Sequence, residues 1–312
     1  MQLHPHQAHA LDIISVAHSR ISSSVLVQQP CGTGKTEIGV RAAVSWVHQR
    51  GVRHVVVAVP TLEIQGQWVR RLAQLTRLPV RASFAGRGFA QPRIVVLTYA
   101  ALWQYENGLP CHDALLIFDE AHHGNYEAPS NLRLVRAHPH VLGLSATPWT
   151  AGCVALFGAT AQVSLPLSVA IRQQLVSAYQ VLPWEAPRGP YGLVFVSGVA
   201  TAQETARALG CRASWAAHTE PRSRARINSW LRGTLPVLVV DRMVSEGCDC
   251  PRCGAVWFER EPESDVLLVQ CAGRAFRYQA GKTARLHCRS GDTAERLQSA
   301  LLRCDTPRLT AF

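Results

Sequence analysis

Three short segments hold residues whose types and spacing could do chemistry together. The first is Pro30-Cys31-Gly32-Thr33-Gly34-Lys35-Thr36. Its glycines free the backbone to turn N–H groups inward around phosphate oxygens, and a helix opening at Lys35 adds partial positive charge at the same place. Lys35 would reach the terminal phosphates, and the Thr36 hydroxyl can ligate Mg2+. The loop departs from the strict eight-residue phosphate-loop pattern, because Gln29 stands where the first glycine would be. The second segment is Leu115-Leu116-Ile117-Phe118-Asp119-Glu120-Ala121-His122, an acidic pair closing an apolar run. Asp119 would hold Mg2+ through water, and Glu120 would polarise an attacking water as general base. The third is Gln270-Cys271-Ala272-Gly273-Arg274-Ala275-Phe276-Arg277. Arg274 and Arg277 are three apart and are expected on one face of a helix. Their planar, permanently charged groups suit the charge that develops on a transferring phosphoryl group. The plainer readings are a Gly-rich turn, a solvated acidic loop and a basic helix facing solvent or nucleic acid. Strand, loop and helix in the right order around the first segment, with the acidic pair downstream, argue against the first two.

These groups need elements to position them. Short β-branched runs at residues 25–27, 55–59, 94–97, 115–118 and 141–144 are each followed by turn or polar residues, as strands are. Helical patterns lie between them, for example at residues 36–49 and 64–75. Strands buried on both faces and separated by helices predict a parallel α/β sheet, with the acidic pair exposed at a strand's C-terminal end. A second set begins at residues 192–196 and continues at 236–240 and 254–258. Between the sets stand Pro166 and the stretch Pro183-Trp184-Glu185-Ala186-Pro187-Arg188-Gly189-Pro190. We therefore expect two domains, residues 1–165 and 166–312, with the proline-rich stretch a loop inside or just before the second sheet.

The bulk of the sequence fits this plan. Its 312 residues are 47% hydrophobic and 17% charged, which suits buried cores rather than a disordered tail. The formal charge of +11 favours a polyanionic partner through phosphate neutralisation, against the plainer reading of a merely basic surface. No apolar run reaches the ~18 residues of a membrane helix, and the N-terminus lacks the pattern of an export signal. The expectation is a soluble, cytoplasmic protein. Ten cysteines then imply a reducing compartment rather than disulfides, and Cys153 and Cys288 sit in apolar runs as small hydrophobes. Cys248, Cys250 and Cys253, with Cys271 later, do not have the spacing of a zinc finger. His4, His6 and His9 read as an incidental cluster, and Trp68 reads as core packing rather than a base-stacking platform.

The three segments resemble the core of helicase superfamily 2, in its DEAH-containing branch, and further segments agree in order. Leu3-His4-Pro5-His6-Gln7 resembles the adenine-reading segment, with Gln7 in the glutamine place. Val59-Pro60-Thr61-Leu62 with Gln67-Trp68 resembles motif Ia, Leu97-Thr98-Tyr99 motif Ib, and Leu144-Ser145-Ala146-Thr147-Pro148 motif III. Phe195-Val196-Ser197 resembles motif IV, and Ser245-Glu246-Gly247-Cys248-Asp249-Cys250-Pro251 motif V. The Gln-Trp pair and the ending of motif V are most similar to the branch of type III restriction helicase subunits, phage DNA helicases and DNA-repair translocases. The resemblance covers nearly the whole chain.

It implies two tandem RecA-like domains, each a parallel sheet flanked by helices, with ATP and Mg2+ as cofactors in a cleft between the domains. Gln7 would read adenine, and Gly32, Thr33, Gly34, Lys35 and Thr36 would hold the phosphates. Thr36 and Asp119 would hold the metal, with Glu120 as the base. Gly247, Asp249, Gln270, Arg274 and Arg277 would come from the second domain, the two arginines as fingers. His122, Ser145 and Thr147 would couple ATP state to domain closure. Pro60, Thr61, Thr98 and Ser197 would touch the nucleic-acid backbone. Cys271 departs from the family, which often has arginine there, and Cys248 and Cys250 replace aliphatic residues. The expected function is an ATP-dependent translocase or helicase, on DNA rather than RNA, monomeric, without a membrane, and open to replication, repair or restriction partners. The alternative is an ATP-switched nucleic-acid-binding or motor subunit of a larger complex. After Arg277 there is room for about one more strand and helix, so weak or partner-dependent unwinding is expected.

Overall fold

The computed structural model describes residues 3–19, 23–50, 54–82, 93–104, 114–187, 191–241 and 249–306. The chain divides into two compact units. One comprises residues 1–29 and 34–165; the other comprises Pro166–Thr306, with Pro30–Thr33 grouped with it.

The first unit is built on seven parallel strands: β1 (Ser23–Gln28), β2 (His54–Val59), β3 (Val80–Arg81), β4 (Arg93–Thr98), β5 (Ala114–Asp119), β6 (His140–Ser145) and β7 (Ala161–Ser164). Their order across the sheet is β3-β4-β2-β5-β6-β1-β7. Helices α1 (Pro5–Ala17), α2 (Lys35–Arg50), α3 (Leu62–Leu75), α4 (Tyr99–Trp103), α5 (Pro129–Arg136) and α6 (Ala151–Phe157) connect or precede them. Alternation along each strand sorts the core into two layers. Val25, Val57, Ile117 and Leu144 face a layer that includes Ile14, Ile38 and Trp68. Leu26, Ala58, Leu116 and Phe118 face the other, with Leu102, Tyr126 and Phe157. Both faces of β5 are therefore dry, which is why its sequence is apolar throughout until Asp119.

The second unit has six parallel strands: β8 (Ala178–Pro183), β9 (Gly192–Val196), β10 (Ala213–Ala217), β11 (Val237–Asp241), β12 (Ala255–Phe258) and β13 (Thr283–Cys288), in the order β10-β11-β9-β12-β13-β8. Its helices are α7 (Leu167–Arg172), α8 (Val199–Ala208), α9 (Ser223–Arg232), α10 (Asp265–Ala272) and α11 (Gly291–Arg303). The parallel strands and intervening helices expected from the apolar runs are present in both units. The edge strands β3, β7, β8 and β10 are elements that the runs did not announce. Among the described residues no helix is long and apolar enough to cross a membrane.

Candidate functional site

The phosphate-type loop runs from the end of β1 to the start of α2. Gly32 and Gly34 take positive φ of 95° and 84°, as a loop that turns its N–H groups inward requires. Thr33 closes the turn on itself, its hydroxyl donating to the Pro30 carbonyl at 2.9 Å. Lys35 is buried, and its Nζ donates to the Gln29 carbonyl at 3.1 Å. Gln7, three residues into the segment opened by His4, is also buried, and its Nε2 lies 3.5 Å from the Gly34 carbonyl. A Cβ on Gly34 would come within 2.5 Å of that nitrogen and displace the Gln7 amide, and the φ of +84° favours glycine there. The structure thus brings Gln7 and the loop together.

β5 delivers the acidic pair to the same end of the sheet. Asp119 is buried, and its carboxylate has three donors: Thr36 Oγ1 at 3.3 Å and Trp68 Nε1 at 2.6 Å on Oδ2, and the Glu120 N–H at 3.1 Å on Oδ1. Burial pushes the Asp119 carboxyl up to about 6, and the Glu120 charge adds to this; Trp68, Lys35 and Thr36 pull the other way. Glu120 sits in the left-handed region at φ 51°, unusual for a side chain of its size. Tyr99 steadies that turn, its hydroxyl reaching the carbonyls of Asp119 at 3.0 Å and Glu120 at 3.4 Å. Glu120 Oε2 is buried and has no hydrogen-bond partner among the described residues. An acid kept neutral-prone by burial beside a threonine hydroxyl, and a second acid with an unused oxygen, form a donor set that a hydrated divalent cation and an attacking water would complete.

His122 follows in a short 3-10 turn, Ala121–His123. Its Nδ1 lies 2.9 Å from Ser145 Oγ, at the end of β6, and 3.8 Å from Glu120 Oε2. Ser145 Oγ also accepts the Thr147 N–H at 3.0 Å, and the Ser145 carbonyl accepts the Gln29 N–H at 3.2 Å. His122, Ser145 and Thr147 therefore form one buried chain between the acidic pair and the phosphate-type loop. The Thr147 hydroxyl is buried and unpaired among the described residues.

The residues expected at nucleic acid are set differently. Thr61 and Thr98 are N-caps, their hydroxyls accepting the N–H of Ile64 and Ala101, both at 3.3 Å. Pro60 precedes Thr61 at the end of β2, partly exposed. The two caps start α3 and α4 directly after β2 and β4. Ser197 follows β9 in the second unit, exposed, with Arg260 Nη1 at 3.3 Å from its hydroxyl.

In the second unit α10 stops at Ala272, with Gly273 at its C-cap. This corrects the expectation that Arg274 and Arg277 share a helix face: Arg274 lies in the turn beyond the helix, and Arg277 in an extended bridge to Val176. Gln270 is buried in the last turn, and Arg274, also buried, donates from Nε to the Gln270 carbonyl at 3.2 Å. Arg277 pairs with Asp249, Nε to Oδ1 at 2.5 Å, while its Nη1 is buried without a partner among the described residues. Gly247 and Cys248 lie outside the described residues. Cys250, Cys253 and Cys271 are buried, and burial pushes the Cys253 thiol up to about 12. Trp68 is core packing, as expected, and what sequence reasoning missed is its bond to Asp119. The indole's place beside Asp119 depends on how α3 packs on the sheet and on α2, which no local pattern encodes.

Residues 1–150 match the family described as the type III restriction enzyme, res subunit. A stretch of 124 residues, 39% of this chain, is 32% identical to the DNA 3'-5' translocase XPB2 of Sulfurisphaera tokodaii and covers 27% of it. The matched stretch thus spans about a quarter of that relative. In fold, 98% of the chain is similar to an ATP-dependent type ISP restriction-modification enzyme, LlaBIII, bound to DNA, at a TM-score of 0.76, 15% identity and 30% of that chain. It is similar over 97% of its length to S. cerevisiae Dbp5 bound to RNA and ADP BeF3, at a TM-score of 0.66, 15% identity and 91% of that chain. At such identities the structural likeness speaks for the fold, two tandem RecA-like domains. The family and sequence matches support a helicase superfamily 2 core near the type III restriction helicase subunits.

Proposed function

We propose that this helicase superfamily 2 core is an ATP-driven DNA translocase, coupling hydrolysis to movement along or remodelling of a strand. The observation that carries the reading is the meeting of Thr36 and Asp119, 83 residues apart in sequence, at 3.3 Å beside the Gly32–Gly34 turn. The loop's N–H groups and the start of α2 would take the phosphates. Lys35 would leave the Gln29 carbonyl for the terminal phosphates, and Gln7 would face the base. Thr36 and Asp119 would hold Mg2+, which supplies charge neutralisation on the phosphate oxygens when bound. Glu120, with Oε2 unused, would accept the proton of the attacking water. The His122-Ser145-Thr147 chain would pass the state of that acid on to the phosphate loop.

Arg274 and Arg277 are proposed as arginine fingers, and Gly247, Asp249 and Gln270 as further nucleotide contacts, all by family resemblance. Pro60, Thr61, Thr98 and Ser197 are proposed contacts to the nucleic-acid backbone, in keeping with a net charge of +11. DNA is favoured because XPB2 is named a DNA translocase and LlaBIII is seen with DNA; the RNA-bound Dbp5 makes RNA the other arm of the test. The test is the ATPase rate with no nucleic acid, single-stranded DNA, duplex DNA, forked DNA and RNA in parallel. DNA should stimulate more than RNA, and Lys35→Ala should abolish the activity. A Lys35→Ala protein as active as the wild type would overturn the site. A rate indifferent to every nucleic acid would overturn the translocase in favour of an ATP switch.

A further inference from the structure

We infer that Trp68 is a positioning residue for the metal site: its indole N–H fixes the Asp119 carboxylate in the orientation that meets Thr36, and Mg2+ binding with nucleotide depends on that bond. The inference rests on the proposed reading of the site as an Mg2+-nucleotide site.

Trp68 lies two turns into α3 and is 0% exposed. Its bond to Asp119 Oδ2, at 2.6 Å, is shorter than an ordinary N–H···O bond and joins a donor to a carboxylate in a dry setting. An aspartate's terminal torsion is broad and roughly two-fold, so a carboxylate held at one oxygen can turn. Here both oxygens are held, Oδ1 by the Glu120 N–H and Oδ2 by Trp68. The second lone pair of Oδ2 is thereby left towards Thr36 Oγ1.

Two observations separate this from simple packing. First, room has been made for the indole against the metal-binding helix. Gly39 of α2, one turn past Thr36, would carry a Cβ only 2.6 Å from Trp68 Cη2 and 2.7 Å from Leu144 Cδ1. Any larger residue at 39 would push the ring from its seat. Second, this chain buries indoles without giving them acceptors. Trp230 and Trp257 are 1% and 2% exposed, and their Nε1 atoms have no hydrogen-bond partner among the described residues. An acceptor is thus not a condition of burying tryptophan here, and the carboxylate has the greater need of the bond. A carboxylate released at Oδ2 is free to turn, and that turn takes it out of the orientation that meets Thr36.

The experiment measures binding of fluorescent ADP to the full chain in Mg2+ and in EDTA, for wild type and Trp68→Phe. Phenylalanine keeps a buried ring and removes the donor. The expected result is an EDTA affinity within about two-fold of wild type and an Mg2+-dependent gain reduced roughly ten-fold. A gain that is unchanged, or larger, overturns the inference. If Trp68→Phe does not fold by thermal melt, the isosteric sulfur analogue of tryptophan at position 68, which lacks the N–H, takes its place. Asp119→Asn separates positioning from packing: in that background Trp68→Phe should cause no further loss of the gain. A loss of equal size there would mean that Trp68 acts through packing, and the inference falls. A wild-type chain that binds no nucleotide in either buffer would instead sink the proposed function. An Mg2+-responsive wild type with an indifferent Trp68→Phe sinks only the role of the indole.

Discussion

Asp119 and Arg277 are each placed at or just past the end of a regular element, yet the chain holds them in opposite ways. Asp119 ends β5, between β2 and β6 in the sheet, and its carboxylate is tied by Thr36, Trp68 and the Glu120 main chain. Arg277 lies beyond the end of α10. Its main chain is anchored, with Val176 across the bridge and the Ser177 hydroxyl donating to its carbonyl at 3.1 Å. Its guanidinium is held by Asp249 alone among the described acids, and the Asp249 side chain is 71% exposed. One group is therefore fixed by a sheet interior. The other is fixed in its backbone and loosely held at its tip, with a buried Nη1 still lacking an acceptor. An exposed ion pair contributes only about 0–1 kcal/mol, so Asp249 can release Arg277 to a stronger anion at little cost.

The largest expected effects test that contrast through turnover. Arg277→Ala should lower kcat by about 10³-fold or more, the loss that the proposed arginine-finger role entails, while its melting temperature stays within about a degree of wild type. Glu120→Gln should lower kcat by about 10²–10⁴-fold with nucleotide affinity kept. Steady-state rates beside thermal melts would check both. An Arg277→Ala protein that melts several degrees lower would break the comparison, since the tip of Arg277 would then be structural.

A mid-sized effect separates two glycines of positive φ, one in each unit. Gly34, at φ +84°, faces Gln7 Nε2 at 2.5 Å from where a Cβ would be, whereas Gly281, at φ +74°, faces open space. Gly34→Ala should cost about 1–3 kcal/mol of stability and weaken nucleotide binding. Gly281→Ala should cost about 1 kcal/mol and leave binding unchanged. Denaturant melts with nucleotide titration would decide. Equal losses of affinity at both positions would show that the Gly34–Gln7 contact has no part in binding.

How far the sequence discloses this structure follows the same divide between interior and edge. Central strands such as β5 could be read because both faces are dry, so Leu115 to Phe118 is an unbroken apolar run; the interior β13, Thr283-Ala284-Arg285-Leu286-His287-Cys288, has no such run and is expected only as one more strand after Arg277. The strands that escaped, β3, β7, β8 and β10, are the four sheet edges. Half-exposed, they mix apolar with polar or small residues, as Ala178-Tyr179-Gln180-Val181-Leu182-Pro183 does, and lack the signal of a buried strand. Site residues obey the same logic. Lys35, Asp119 and Glu120 follow from loop and strand-end chemistry. The Trp68 bond does not, because it joins residues 51 apart through the packing of a helix on a sheet. The helix expected to carry Arg274 and Arg277 ends at Ala272; Gly273 keeps right-handed geometry at φ −59° and ψ −16°, and the chain then turns to reach the Val176 bridge, a tertiary pairing that no local pattern encodes.

The smallest expected effect concerns two ion pairs, one from each unit. Glu37, in the first turn of α2, takes Arg71 of α3 in a two-point pair, Oε2 to Nε and Oε1 to Nη2, both at 2.8 Å, and Arg41 at 2.8 Å. Its side chain is 9% exposed, against 71% for Asp249. The Arg71 hydrogen bond holds the Glu37 carboxyl below its ordinary value of 4.5, more than burial raises it, and Arg41 adds to this. A folded-state value depressed in this way contributes stability above the unfolded value, lost as pH falls through the folded one. Glu37→Gln should therefore cost about 1 kcal/mol at neutral pH, and Asp249→Asn close to nothing. The gap between wild type and Glu37→Gln should close as the pH drops below about 4, and stay open between pH 6 and 8. The pair also joins α2, which carries Thr36, to α3, which carries Trp68. A Glu37→Gln protein with a normal melt but a weakened Mg2+-dependent gain in nucleotide binding would mean that the clamp serves the metal site more than the fold.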